Sequence, residues 1–128
     1  MAKLRVLIYR KKVKVDVDSY AESLAVQLRK GFLVYCVLLV CSNKAQYAGD
    51  IVKQLNNSDL TVVEGTIYPL LNRLQKDGYL QHEWQESEQG PPRKYYSLTN
   101  HGDQLIHELK DRINMLNNSL DNLEKGIK

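Results

Sequence analysis

The stretch VVEGTIYPLLNRLQKDGYL (Val62–Leu80) combines a helical period with an internal proline, Pro69. Few local structures accommodate both. Projected at 100° per residue from about Glu64, Ile67, Leu70, Leu71 and Leu74 fall on one face and must pack inward. Tyr68, Asn72 and Lys76 stack on the opposite face, with Gly65 and Pro69 beside them and Thr66 and Arg73 flanking. Proline lacks an N–H, and its ring presses on the carbonyl four residues back. That residue is Gly65, whose backbone shifts more cheaply than any other. The proline is therefore expected near the start of the helix, where amides lack intrahelical partners. No acid stands on the outer face between Gly65 and Lys76. Such a face suits a helix that reads nucleic acid, and an ordinary solvated face fits the projection equally well.

The rest of the chain supplies a frame. Residues 1–18, with the alternating VKVDVDS, read as a basic arm or a short strand. Tyr20–Asn43 reads as a long first helix, amphipathic early and buried late, and Gln46–Asn57 as a second with Ile51, Val52 and Leu55 inward. After the third helix, Tyr79–Gln85 and Arg93–Leu98 alternate like strands around the loop ESEQGPP, predicting a hairpin with a long tip. Alternation groups Leu80, His82 and Trp84 on one face, and Lys94, Tyr96 and Leu98 on one face of the second strand. Tyr96 is expected in the core, Trp84 in the core or at the rim of the hairpin, and Tyr95 either packed under the hairpin or in contact with nucleic acid. Thr99 is the expected N-cap of the last helix. That helix carries a heptad with Ile106, Ile113, Leu120 and Ile127 at a and Leu109, Leu116 and Leu123 at d, a dimer-favouring pattern.

A length of 128 residues supports one domain with a modest core. The most apolar run, Gly31–Cys41, is too short to span a bilayer, and no signal peptide is visible, so the reading is cytoplasmic with no membrane partner. Cys36 and Cys41 lie within that run and read as buried thiols. The net charge of +3 conceals an uneven distribution. Residues 1–14 hold six basic residues and no acid, leaving twelve basic and fifteen acidic residues over 15–128. Binding to nucleic acid must then come from where individual cations sit rather than from bulk charge. His82, His101 and His107 make no metal-ligand spacing with the cysteines, and there is no nucleophile motif or phosphate loop. Neither catalysis, a metal nor a cofactor is expected.

Two segments, EGTIYPLLNRLQKDGYL (Glu64–Leu80) and ESEQGPPRKYYSLTNHG (Glu86–Gly102), resemble the PadR-like family of bacterial transcriptional regulators. QLRKGFLVYCVLLV (Gln27–Val40) is similar to that family's first helix. The resemblance implies a mostly helical α+β fold, a winged helix-turn-helix with a C-terminal dimerisation helix. It divides the chain into the arm (1–18), a DNA-binding domain (19–98) and the dimerisation helix (99–128). It further implies a homodimer joined through the first and last helices, repressing a promoter and released by a small-molecule inducer at the dimer interface. Departures exist. Gly49 stands where the family pattern has a second tyrosine, and Ile113 stands where some small members carry a drug-sandwiching tryptophan.

The expected partner is double-stranded operator DNA. Thr66, Tyr68 and Asn72 would read or abut base edges, asparagine being suited to adenine. Lys44, Tyr47, Arg73 and Lys76 would position the helix-turn-helix on phosphates, with an internal ion pair the other reading for Arg73. Arg93, after the stiff Gly90–Pro92 tip, and Lys94 would make wing contacts. The dimer interface would comprise Phe32, Tyr35, Ile106, Leu109, Ile113, Leu116, Leu120, Leu123 and Ile127. A winged-helix protein-interaction module without DNA binding is the alternative function, favoured by the acidic balance of residues 15–128.

Overall fold

A computed structural model describes residues 12–126, which form four helices and one hairpin: α1 (Val17–Asn43), α2 (Ala48–Asn57), α3 (Glu64–Lys76), β1 (Leu80–Ser87), β2 (Gly90–Leu98) and α4 (Asn100–Lys125). Most of the arm and the last seam residue, Ile127, lie outside the described residues. The first helix begins earlier than its apolar pattern suggested. Asp16 accepts a hydrogen bond from the Ser19 amide at 3.0 Å, so Val17 and Asp18, the end of the expected arm, belong to the first helical turn instead. Alternation in VKVDVDS had masked a capping aspartate.

The core collects Val37, Leu38 and Cys41 from α1, Ala48, Ile51 and Leu55 from α2, and Ile67, Leu71 and Leu74 from α3. Leu80 and Tyr96 of the hairpin close it. The turn between α2 and α3 is clamped by Asn56, whose side chain accepts from the Val62 amide at 2.8 Å and donates to the Val62 carbonyl at 3.1 Å. That pair of bonds ties the end of α2 to the link that leads into α3.

The strands reach further into the tip than turn chemistry suggested. Between the pairs Gln85↔Arg93 and Ser87↔Gly90, one residue of β1 (Glu86) faces two of β2 (Pro91 and Pro92). The two prolines sit in a bulge, where a residue without an N–H is tolerated inside a ladder. At the other end Thr99 caps α4, its hydroxyl accepting from the Gly102 amide at 3.1 Å and donating to the Gly78 carbonyl at 2.6 Å.

Within α1 an 18-residue stretch has a mean hydropathy of 1.8, long and apolar enough to cross a membrane by length and composition alone. The polar Gln27, Arg29 and Lys30 had made the apolar run look shorter than the helix is. The end of this helix is a core element. Cys41 is free and buried there, and burial pushes its thiol up to about 12 from 9.0. A thiol reagent at pH 8 is therefore expected to leave Cys41 unmodified in the folded protein and to label it on unfolding; labelling at the rate of a free thiol would contradict its burial. Because the folded value lies above the unfolded one, this group's contribution to stability is complete below pH 9 and declines as pH rises towards 12.

Candidate nucleic-acid interface

The helical period of α3 buries Ile67, Leu71 and Leu74 and leaves Tyr68, Asn72 and Lys76 exposed along one outer stripe. Pro69 is the sixth residue of the helix, in its second turn. The carbonyl it cannot bond is that of Gly65, which is exposed and, among the described residues, has nothing within 4 Å of where a Cβ would stand.

Beside α3 stands the wing, and a single bridge attaches it to the segment before α2. Gln46 pairs antiparallel with Tyr96, each amide donating to the other's carbonyl, at 2.9 Å and 2.7 Å. Gln46 is buried, and its side-chain Oε1 accepts from Gln54 Nε2 at 2.9 Å. No alternation marks a bridge of one residue, so nothing in the local pattern announces it. This bridge brings the start of α2 against β2. The Tyr47 ring lies 5.7 Å from that of Tyr95, and the Arg93 guanidinium sits 4.4 Å from the Tyr47 centroid. At Gly49 a Cβ would stand 2.7 Å from the Tyr47 ring, so the tyrosine occupies the space that a larger residue at 49 would need.

On the α3 side, Trp84 is a rim residue, 61% exposed rather than core, with the Lys94 ammonium 5.5 Å from its ring. His82 fastens the wing base to α3, its Nδ1 hydrogen bonded to Gln75 Oε1 at 2.8 Å while its ring meets Trp84 edge-on. The wing and the two helices enclose a groove of about 310 Å³, lined by Tyr47, Glu64, Tyr68, Trp84, Arg93 and Lys94 among others. Tyr96 forms its floor, its phenol pushed up by burial and then by the neighbouring Tyr68.

Six of the nine expected contact residues fall into two groups, and three stand apart. Tyr47, Tyr68, Arg93 and Lys94 meet in the groove. Thr66 and Arg73 lie on the other flank of α3, with Pro69, along a depression towards Lys30 and Leu33 of α1. Arg73 takes part in none of the ion pairs among the described residues. Asn72 and Lys76 stand exposed on the stripe that begins with Tyr68, and Lys44 is exposed at the C-cap of α1. Sequence reasoning passed over Glu64 and Trp84 as groove residues. Glu64 is the one carboxylate lining the groove, beside two wing cations.

The interface expected for a second copy is divided. Phe32 and Tyr35 of α1 face Leu109, Ile113 and Leu116 of α4 across a groove of about 360 Å³, and Ile106 and Leu109 pack against the protomer's own core. Beyond them the seam is open, with Leu116, Leu120 and Leu123 exposed to 60%, 53% and 70%.

The sequence profile of the transcriptional regulator PadR-like family matches residues 37–108. Solved structures agree. A PadR-like transcription factor from Bacteroides fragilis is 46% identical, covering 79% of this chain and 98% of that one, with a TM-score of 0.68. A PadR family transcriptional regulator from Eggerthella lenta is 31% identical, covering 83% and 93%, with a TM-score of 0.78. Bacillus subtilis PadR in complex with operator DNA, 22% identical over 60% of this chain and 45% of that one, shares the fold with a TM-score of 0.56. No curated protein matches the chain.

Proposed function

The chain belongs to the PadR-like family of transcriptional regulators, and from that premise we propose that it is a cytoplasmic, non-enzymatic repressor that binds operator DNA as a homodimer. One observation carries the DNA-binding reading. The exposed stripe Tyr68–Asn72–Lys76 of α3 lies beside a wing that presents Arg93 and Lys94, with Glu64 the one acid at its N-terminal end. In this reading α3 enters the major groove, Tyr68 and Asn72 meet base edges, and Lys76, Lys44 and the wing cations hold the backbone. Thr66 and Arg73 serve the other edge of the same groove, with the α1 side of the protein behind them.

The test is an anisotropy titration against the duplex upstream of the protein's own coding region, at two salt concentrations and with an unrelated competitor duplex. Tight, competitor-resistant binding that weakens steeply with salt is expected. Salt-insensitive binding to protein partners, with no DNA fragment enriched in a genome-wide selection, would instead favour the protein-interaction module. Replacing Asn72 by alanine is expected to remove about 1–3 kcal/mol of discrimination at one adenine. An unchanged operator preference in that variant would take Asn72 out of the reading set.

The dimer is supported by the open leucine seam of α4 and by an exposed apolar stripe on α1, Val17, Tyr20, Leu24 and Leu28, at helical spacing. Release by an inducer is supported by the apolar groove between Phe32, Tyr35, Leu109 and Ile113. A ligand there that prefers one spacing of the two recognition helices would mismatch half-sites about 34 Å apart.

A further inference from the structure

We propose that Tyr47 is a positioning residue, the seat on which the wing arginine Arg93 is held, and that the bare backbone of Gly49 is what makes room for it. The pairing of Gln46 with Tyr96 sets Tyr47 opposite Tyr95, and Arg93 lies two residues from Tyr95 on the same face of β2. The distances follow that register: 5.7 Å between the two tyrosine rings and 4.4 Å from the Arg93 guanidinium carbon to the Tyr47 centroid. An arginine on a ring face at that distance is held by the ring quadrupole and loses part of its rotamer freedom before any ligand arrives. Arg93 is exposed, and among the described residues it takes part in no ion pair that would hold it instead.

Gly49 completes the device. Its Cβ would stand 2.7 Å from Tyr47 Cε2 and 3.4 Å from Cδ2, so any other residue drives the ring off its place. The wing cation is thereby aimed by α2, the helix that precedes the recognition helix, and not by the wing alone. Tyr47 acts through its ring, whereas a phosphate contact of its own would act through its hydroxyl.

The consequence for DNA rests on the repressor reading, so the experiment has an arm that needs no DNA. In the free protein, the Arg93 side-chain proton resonances are expected to be displaced by the Tyr47 ring current. That displacement is kept in Tyr47→Phe and lost in both Tyr47→Ala and Gly49→Ala. In titrations of a labelled duplex from the upstream region, Arg93→Ala is expected to lower the salt slope by about 0.9, as for one lost phosphate contact. Tyr47→Ala is expected to weaken binding roughly two- to fivefold, the equivalent of an exposed cation–π contact. Tyr47→Phe should bind more tightly than Tyr47→Ala, and Tyr47→Ala should cost nothing further in the Arg93→Ala background.

Arg93 resonances indifferent to Tyr47→Ala would overturn the seat outright. A Tyr47→Phe variant as weak as Tyr47→Ala would overturn the positioning role in favour of the hydroxyl. A Tyr47→Ala cost that is the same with and without Arg93 would overturn it too. Failure of the parent protein to bind any duplex would remove the repressor reading while the resonances still decide whether Tyr47 seats Arg93.

Discussion

Replacing Gly102 by alanine is expected to destabilise the protein by about 3 kcal/mol, the upper end of what overpacking costs, although alanine is the better helix former. The position lies in the first turn of α4, and a Cβ there would stand 2.1 Å from the Tyr79 carbonyl oxygen and 3.2 Å from Leu98 Cδ2. The neighbour at 2.1 Å is backbone, so no rotamer change relieves the clash. Relief requires the start of α4 to lift, and the same turn is tied down by the Thr99 hydroxyl between the Gly78 carbonyl and the Gly102 amide. Alanine's helix preference, at most about 1 kcal/mol, cannot offset this. The comparison is Gly65→Ala in the first turn of α3, where nothing obstructs a Cβ among the described residues and folding stability should be unchanged or slightly higher. Thermal unfolding at one fixed protein concentration decides the matter. A Gly102→Ala variant as stable as the parent would mean that α4 leaves the hairpin by a different path.

That glycine illustrates how far the sequence could be read. Periodicity located all four helices and the inward faces of α2 and α3, because each presents one stripe to a single core. Thr99 was legible as a cap because a hydroxyl before an apolar-periodic run has one common use. What could not be read were features made by segments meeting across the chain. The Gln46–Tyr96 bridge joins residues fifty apart and leaves no local pattern. Trp84 belongs to the face that begins in the core with Leu80, but the strand outruns the core before reaching it. Pro91 and Pro92 announced a turn, while a bulge opposite Glu86 absorbed them into the ladder. The expected contact residues were named by type, and their division between the wing groove and the α1 flank depends on where α1 and the hairpin pack against α3.

Placing aspartate at both Leu116 and Leu123 is expected to convert the proposed dimer to monomer and to lower operator affinity at least ~100-fold, since one half-site is a small part of a two-site contact. In the isolated protomer these side chains are 60% and 70% exposed, so they contribute little to its own core and the helix should persist. Across a two-fold interface the two substitutions remove four buried leucines. Each is worth roughly 1.5–3 kcal/mol on burial, and the charges add a further desolvation cost. A loss on the order of 6–12 kcal/mol corresponds to at least ~10⁴-fold in the dimer constant. Ile106 and Leu109 serve as the contrast, because they pack against the protomer's own core and their truncation should reduce folding stability as well. Sedimentation equilibrium reads the assembly and anisotropy reads the operator. A doubly substituted protein that stays dimeric and binds operator as the parent does would place the interface away from the α4 seam. The exposed stripe Val17–Tyr20–Leu24–Leu28 on α1 would then be the surface to substitute next.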